Sequence, residues 1–132
     1  MNRFDCRMRL RAIFGLLACL TLAVGCSKTP KTADANESRK VLETALNAWK
    51  SGKKPEAALK DSSIQVNDPA WAAGANLRDF EIQSDDESSG QDRKFQVILR
   101  FDDKDGKATQ ENVTYTVATS PKKVVIRYEE LK

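Results

Sequence analysis

Apolar positions in the first part of the chain recur at the spacing of an amphipathic helix. Between residues 36 and 51 they fall at i, i+3, i+4 and i+7, which places them on one helical face. The residues on this face are Leu42, Ala45, Leu46 and Trp49. Asp34 or Asn36 can cap the start of the helix, and Gly52 can end it. Residues 55–60 predict a short second turn of helix, because the leading proline suits the first position of a helix.

From residue 63 onward the apolar period changes to two, which is typical of β-strands. The alternation predicts a weak strand at residues 64–66 and better strands at 77–83, 93–101, 111–119 and 123–129. A polar segment at 84–92 and a turn at 102–107 connect the middle strands, and Asp105-Gly106 is a strong hairpin signal. One face of the strands is apolar and the other is polar, as in an antiparallel sheet that is covered on one face and exposed to solvent on the other.

These elements predict the α+β fold class, with one amphipathic helix and a short second turn of helix packed on a curved antiparallel sheet of about four strands. We expect Trp49 to be a core residue rather than a stacking platform for a ligand, and Trp71 to close one end of the core. The inward side chains are bulky and almost wholly apolar, which favours a filled core. The expected inward set comprises Leu42, Leu46, Trp49, Phe80, Ile82, Phe95, Val97, Leu99, Phe101, Tyr115, Val117 and Ile126.

The N-terminal region has a different pattern from the rest of the chain. Residues 1–11 are basic, and residues 12–25 form an apolar, uncharged run of fourteen. As a helix this run spans about 21 Å, which is short of the roughly 30 Å of a hydrocarbon core. A basic flank, a short apolar run and a small residue at the boundary predict a secretory signal peptide rather than a membrane-spanning helix.

The end of this region resembles the lipobox of bacterial lipoproteins, since residues 22–26 are Leu-Ala-Val-Gly-Cys. The resemblance implies that Cys26 is diacylated and becomes the mature N-terminus. Cys19 is a competing attachment residue, but it leaves only seven apolar residues before it. An ordinary secretory signal with a chance cysteine is the other alternative. Ser27, where some lipoproteins have Asp, is compatible with export to the outer membrane, facing the periplasm.

Charge and cysteine content agree with this division. The 132-residue chain has 22 basic and 19 acidic residues, yet residues 1–25 alone hold four arginines and one aspartate. The remainder is neutral, with 18 of each sign, and so gives no electrostatic reason to expect a nucleic-acid partner. The absence of His excludes Ser-His-Asp and Cys-His nucleophile systems and His-ligated zinc. Cleavage before Cys26 would also remove Cys6 and Cys19.

The sequence thus predicts three parts: a signal peptide at residues 1–25, a lipid-attachment cysteine with a flexible tether at 26–35, and one small α+β domain at 36–132. By pattern, the last part resembles the cone-shaped nuclear transport factor 2-like and cystatin-like superfamilies. It also resembles small exported bacterial lipoproteins of no assigned activity. The shared elements are Trp-Lys-x-Gly-Lys at 49–53, Asp-Pro-x-Trp at 68–71 and Tyr-x-Val-x-Thr-x-Pro at 115–121.

The acidic clusters carry the only metal-binding hypothesis. Asp102, Asp103 and Asp105 beside Gly106 invite comparison with a calcium-binding EF-hand loop. With this glycine at loop position 6, however, positions 1 and 12 lack a carboxylate. We interpret the segment as a solvated hairpin turn. Residues 85–87 are most simply a solvated loop too, with weak divalent-cation binding left open.

The cone-shaped architecture also suggests a ketosteroid-isomerase-like site, which needs a carboxylate and a hydroxyl inside the cone. Asp79 and Tyr115 form the only plausible pair, but strand parity places Asp79 on the outer face. A cystatin-like inhibitor would need a Gln-x-Val-x-Gly loop, which residues 65–67 do not fit. We therefore expect no catalytic residue, no metal and no cofactor.

Together, these features predict a non-catalytic, lipid-anchored cell-envelope protein. It is expected to be exported, to contact the membrane through its lipid at Cys26, and to interact with an unidentified envelope protein partner but not with nucleic acid. The alternative is a small-ligand-binding or isomerase-like cone. The two hypotheses differ in whether the inward side chains fill the space between helix and sheet or leave a cavity there.

Overall fold

The computed structural model describes the backbone of residues 32–129 and all of their side chains except those of 84–89. This part of the chain forms three helices and a five-stranded sheet. The elements in chain order are α1 (Ala35–Lys50), α2 (Pro55–Ser62), β1 (Ile64–Asn67), α3 (Pro69–Ala72), β2 (Leu77–Ser89), β3 (Asp92–Asp102), β4 (Ala108–Ala118) and β5 (Lys123–Tyr128). The α+β prediction is confirmed.

The sheet is mixed rather than purely antiparallel. Its strand order is β1-β5-β4-β3-β2, and β2 to β5 follow one another antiparallel. The first strand, β1, pairs in parallel with the last, with Ile64 opposite Lys123. The weak strand predicted at 64–66 is confirmed as β1 and brings the sheet to five strands where about four were expected. Its parallel pairing differs from the predicted antiparallel sheet, because residue alternation does not report strand direction.

Local capping explains why α1 begins and ends where it does. The side chain of Asp34 accepts hydrogen bonds from the backbone N–H groups of Asn36, at 2.8 Å, and Glu37, at 3.4 Å. At the other end Gly52 takes a φ of +80°, which a residue with a Cβ rarely adopts. α1 therefore matches its predicted range to within one residue at each end.

The apolar stripe of α1 packs on one face of the sheet, which we call the inner face. Side chains from α1, α2 and every strand join one buried cluster there. Trp49 and Trp71 are both buried, which confirms their prediction as core residues. Phe80 and Ile82 are half-buried and pack against the same cluster. The inner face is therefore filled by the side chains that the alternation predicted, apart from one residue of β5.

That residue is Ile126, which the sequence pattern placed inward. In the structure Val125 is the buried residue, at 1% exposure, whereas Ile126 is 42% exposed on the opposite, outer face. The alternation favoured the phase of Val124, Ile126 and Tyr128, because the other phase holds Lys123 and Arg127 beside Val125. The phase is set by pairing instead, since Val125 lies opposite Val117 and Arg127 lies opposite Tyr115.

The β2–β3 hairpin is longer than predicted. Residues 84–89, expected to be part of a polar connection, continue β2 and pair with β3, and the turn is confined to Gly90 and Gln91. The polar composition is overridden because the backbone groups at the start of β3 need ladder partners on this side.

The predicted attachment residue, Cys26, lies outside the described residues, as do the predicted signal peptide and most of the tether. Among residues 32–129, no helix is long and apolar enough to cross a membrane.

Candidate functional site

Two tryptophans from distant parts of the sequence meet at one end of the domain. Trp49 and Trp71 stack with their ring centroids 5.3 Å apart and their planes 4° from parallel. The indole N–H of Trp71 donates to the carbonyl of Lys53 at 2.7 Å, and that of Trp49 donates to the carbonyl of Ala75 at 2.8 Å. Both indoles are therefore buried with their polar groups satisfied.

Asp68 lies beside this stack and caps α3. One carboxylate oxygen, Oδ1, accepts hydrogen bonds from the backbone N–H groups of Ala70, at 2.8 Å, and Trp71, at 3.0 Å. Pro69 follows at the first helical position, where no N–H is needed. The sequence Asp-Pro-x-Trp is thus a helix start that presents Trp71 to the core. The carboxylate is only 3% exposed.

Tyr115 of β4 supplies the other contact of this carboxylate. Its hydroxyl donates to Oδ2 of Asp68 at 2.5 Å, and the residue is 1% exposed. Burial, together with the negative charge and hydrogen bond of Asp68, raises the pKa of Tyr115 far above its ordinary value. The phenol therefore stays protonated and acts as a donor throughout the physiological pH range.

Arg127 of β5 completes the group, because it lies directly opposite Tyr115 in the sheet. Its Nη2 donates to Glu111 at 2.7 Å, and its Nη1 lies 3.8 Å from Oδ1 of Asp68. Burial alone would lower the pKa of Arg127, but the hydrogen bond to Glu111 and the charge of Asp68 raise it. Nη1 is buried and makes no hydrogen bond within the described residues. We call Asp68, Glu111, Tyr115 and Arg127 the inner polar cluster.

The inner polar cluster joins α3, β4 and β5 but offers little to a substrate. Both carboxylate oxygens of Asp68 accept hydrogen bonds from the chain itself, and the proton of Tyr115 is held between two buried groups. General acid–base chemistry needs a proton donor or acceptor within hydrogen-bond reach of a bound substrate. The geometry is that of a structural junction.

The predicted isomerase-like pair is not brought together. Asp79 lies on the edge strand β2, two strands away from Tyr115, and contacts Lys50 at 3.2 Å and Arg100 at 3.4 Å. It is half-exposed, and the hydrogen bond from Lys50, with smaller contributions from the backbone and Arg100, lowers the pKa of its carboxyl. Tyr115 pairs instead with Asp68, the first residue of the Asp-Pro-x-Trp element.

The acidic turn forms the tight hairpin predicted for it. The N–H of Gly106 donates to the carbonyl of Asp103, whose own N–H donates to the carbonyl of Lys107, both at 2.9 Å. The carboxylate of Asp103 accepts from the N–H of Lys104 at 2.6 Å. Within the described part of the chain, no group of three or more His, Cys, Asp or Glu side chains is placed to hold a metal ion.

The outer face of the sheet carries exposed apolar side chains. Tyr128 is 52% exposed, and Lys94 lies over its ring at 5.3 Å from the centroid. Ile126 is its neighbour on the same face of β5, because these two residues pair with Thr114 and Thr116, which point away from the core. We call Ile126, Tyr128 and Lys94 the outer patch. The alternation placed Ile126 with the core instead, because Val124, Ile126 and Tyr128 form the more apolar phase of β5.

No protein-family model, curated protein or solved structure matches the chain.

Proposed function

We propose that the protein is a non-catalytic, lipid-anchored envelope protein whose domain binds a protein partner near the membrane surface. The N-terminal sequence supports the anchor, since a basic flank, a short apolar run and the segment ending at Cys26 together resemble a lipoprotein signal. Two or three acyl chains give stable anchoring.

The single observation that favours binding over catalysis is the contrast between the two faces of the sheet. The side chains between α1 and the sheet are buried, and the polar groups of Asp68 and Tyr115 are used within the domain. The outer face instead exposes Ile126 and Tyr128 next to charged and hydroxyl side chains. Aromatic and aliphatic residues with polar neighbours are the usual composition of a protein-binding surface.

The alternative, a ligand-binding or isomerase-like cone, has less support. It needs space with a few polar groups between the helix and the sheet. The inward side chains described for α1 and the central strands are buried, and among them the hydroxyl of Tyr115 is already hydrogen-bonded to Asp68. A substrate would have to displace this buried pair.

The anchor is tested with the full chain produced in a Gram-negative host that is fed a labelled fatty acid. Cys26→Ser should abolish the label on the mature protein and its detergent-phase partitioning. Cys19→Ser is the matched control and should behave like the wild type. Labelling of Cys26→Ser at the wild-type level would reject the assignment, and loss of label in Cys19→Ser alone would move the attachment to that residue.

The binding surface is tested by photo-crosslinking in living cells. A photoreactive amino acid at Ile126 should give one discrete adduct, whereas the same residue at Lys104, in the turn at the far end of β3, should not. Lys94→Glu should weaken the adduct. Adducts of equal yield at the two positions, or none at Ile126 in anchored protein, would reject the outer patch as the binding surface.

A further inference from the structure

The tether joins the domain at a well-defined end. The N–H of Ala33 donates to the carbonyl of Gly90 at 3.4 Å, and Arg93 donates from Nε to the carbonyl of Ala33 at 3.0 Å. The start of α1 therefore lies beside the β2–β3 turn, together with Thr119 and Ser120 between β4 and β5. We call this the tether end. The stacked tryptophans and the β3–β4 turn lie at the opposite end.

The length of the tether keeps this end close to the lipid. Only residues 27–31 separate Cys26 from Thr32, the first described residue. Fully extended, this stretch spans about 20 Å. β3 alone, with 11 residues, is about 35 Å long, so the opposite end can lie much farther from the membrane. Tethering also raises the local concentration of the lipid surface, so that even a weak contact is populated.

A basic groove opens at the tether end. It is lined by Leu59, Ser63, Gln65, Thr119, Pro121, Lys122 and Lys123. Among the residues that the structure describes, none that lines it is acidic, and Lys60 follows Leu59 on the exposed side of α2. Leu59 is itself 52% exposed and lines the groove together with Lys122 and Lys123.

Of the carboxylates whose side chains the structure describes, those nearest the start of α1 are grouped elsewhere, and Asp61 of α2 is paired with Lys53 at 2.9 Å. Asp34 and Glu37 line a separate depression at the start of α1, and Asp92 lies at the start of β3. Among the described side chains, the tether end is thus divided into an acidic side next to α1 and a basic side next to α2 and β5. Because the two sides are separate, one side can approach an anionic surface while the other stays in solvent.

We propose that the basic groove docks on anionic phospholipid headgroups of the membrane that holds the anchor. Lys60, Lys122 and Lys123 contact the headgroups, and Leu59 enters the interfacial region between them. This docking rests on the proposed lipid anchor, because the tether is what brings the groove to the bilayer. It fixes the orientation of the domain, with the far end of the sheet directed away from the lipid.

The test uses the mature lipidated protein reconstituted in two kinds of vesicle. One contains phosphatidylglycerol and phosphatidylethanolamine, and the other contains phosphatidylcholine alone. Lysines are modified briefly with an amine-reactive reagent and quantified by mass spectrometry. Lys60, Lys122 and Lys123 should be protected in the anionic vesicles only, and molar salt should remove the protection. Lys104 and Lys107, at the opposite end, should be modified equally in both.

Substitutions separate docking from anchoring. Each lysine near an anionic surface changes the ratio of docked to free domain about fivefold, so Lys122→Gln with Lys123→Gln should lower this ratio about 25-fold. Protection of Lys60 should disappear, while the protein still floats with the vesicles. Lys104→Gln with Lys107→Gln is the matched control and should retain the protection.

Three results would overturn the docking. One is equal modification of all these lysines in protein that floats with the vesicles, because the domain would then move freely on its tether. Another is protection of Lys104 and Lys107 instead. The third is protection that appears only with native membranes containing protein, which would assign the groove to a protein partner. Failure of the protein to float at all would reject the anchor itself and is distinguishable from each of these.

Discussion

Trp49 of α1 and Trp71 of α3 form a parallel stack, with their ring centroids 5.3 Å apart. Phe101 packs against the first of these rings at 5.6 Å in a tilted arrangement. Because the indole N–H of Trp71 donates to Lys53, the stack also fixes the connection between α1 and α2. One aromatic contact thereby joins segments that are separate in sequence.

The stack gives the first prediction, which concerns circular dichroism. The chain has two tryptophans, and stacked indoles couple to give an exciton couplet. Trp49→Phe and Trp71→Phe should each abolish the whole couplet, because it belongs to the pair. Trp71→Ala should also lower the free energy of unfolding by about 3–5 kcal/mol, measured by urea denaturation. A couplet that persists at half strength in one Phe variant would show that the rings do not interact.

The second prediction concerns the hydroxyl of Tyr115. In Tyr115→Phe the buried carboxylate of Asp68 loses its hydrogen bond at Oδ2, which should cost about 1.5–3 kcal/mol of unfolding free energy. Tyr128→Phe is the matched control, since this side chain is exposed, and should change stability by less than about 0.5 kcal/mol. Equal losses in the two variants would contradict the buried contact.

The third prediction is the pH dependence of that same contact. The folded pKa of Tyr115 is raised above the ordinary value of about 10, so the neutral phenol is the form that the fold favours. Its contribution is fully present below pH 10 and is lost as pH rises above it, by about 1.4 kcal/mol per pH unit for one proton. The difference in unfolding free energy between the wild type and Tyr115→Phe should therefore shrink above pH 10. A difference that stays constant to pH 11 would contradict the raised pKa.

Local signals made α1 predictable, whereas the sheet depended on contacts between distant segments. The periodicity of Leu42, Leu46 and Trp49 and the cap at Asp34 lie within one short stretch of chain. The pairing of β1 with β5 joins residues on either side of three strands, and alternation carries no information about it. The alternation gave the wrong phase for β5, because Val124, Ile126 and Tyr128 are more apolar than Lys123, Val125 and Arg127, and only the pairing with β4 decides which set faces the core.

The inner polar cluster could be predicted only in part from the sequence. Asp68 followed by Pro69, with Trp71 at the third position, is a helix-start signature that indicates α3, a helix that was not among the predicted elements. The contact between Asp68 and Tyr115 spans 47 residues, so no local pattern reports it. Arg127 points inward because Glu111 and Asp68 offset its charge, which depends on the assembled sheet.

The fourth prediction tests the turn between β3 and β4. Gly106 has a φ of +75°, and a Cβ added there would meet no atom within 4 Å. The cost of Gly106→Ala is therefore conformational alone, about 1 kcal/mol of unfolding free energy. Gly106→Asn should cost less, because asparagine tolerates the left-handed region. An alanine variant as stable as the wild type would contradict the turn geometry.

The fifth prediction tests the phase of β5 with two neighbouring substitutions. Val125→Thr keeps the side-chain shape but buries a hydroxyl against Val117, so it should cost about 1–3 kcal/mol of unfolding free energy. Ile126→Thr changes an exposed residue on the outer face and should cost about 0.5 kcal/mol or less. The phase that the alternation favoured gives the opposite ranking, because Ile126 would then lie against the core. Urea denaturation of the two variants distinguishes the phases, and a larger loss for Ile126→Thr would also remove this residue from the outer patch.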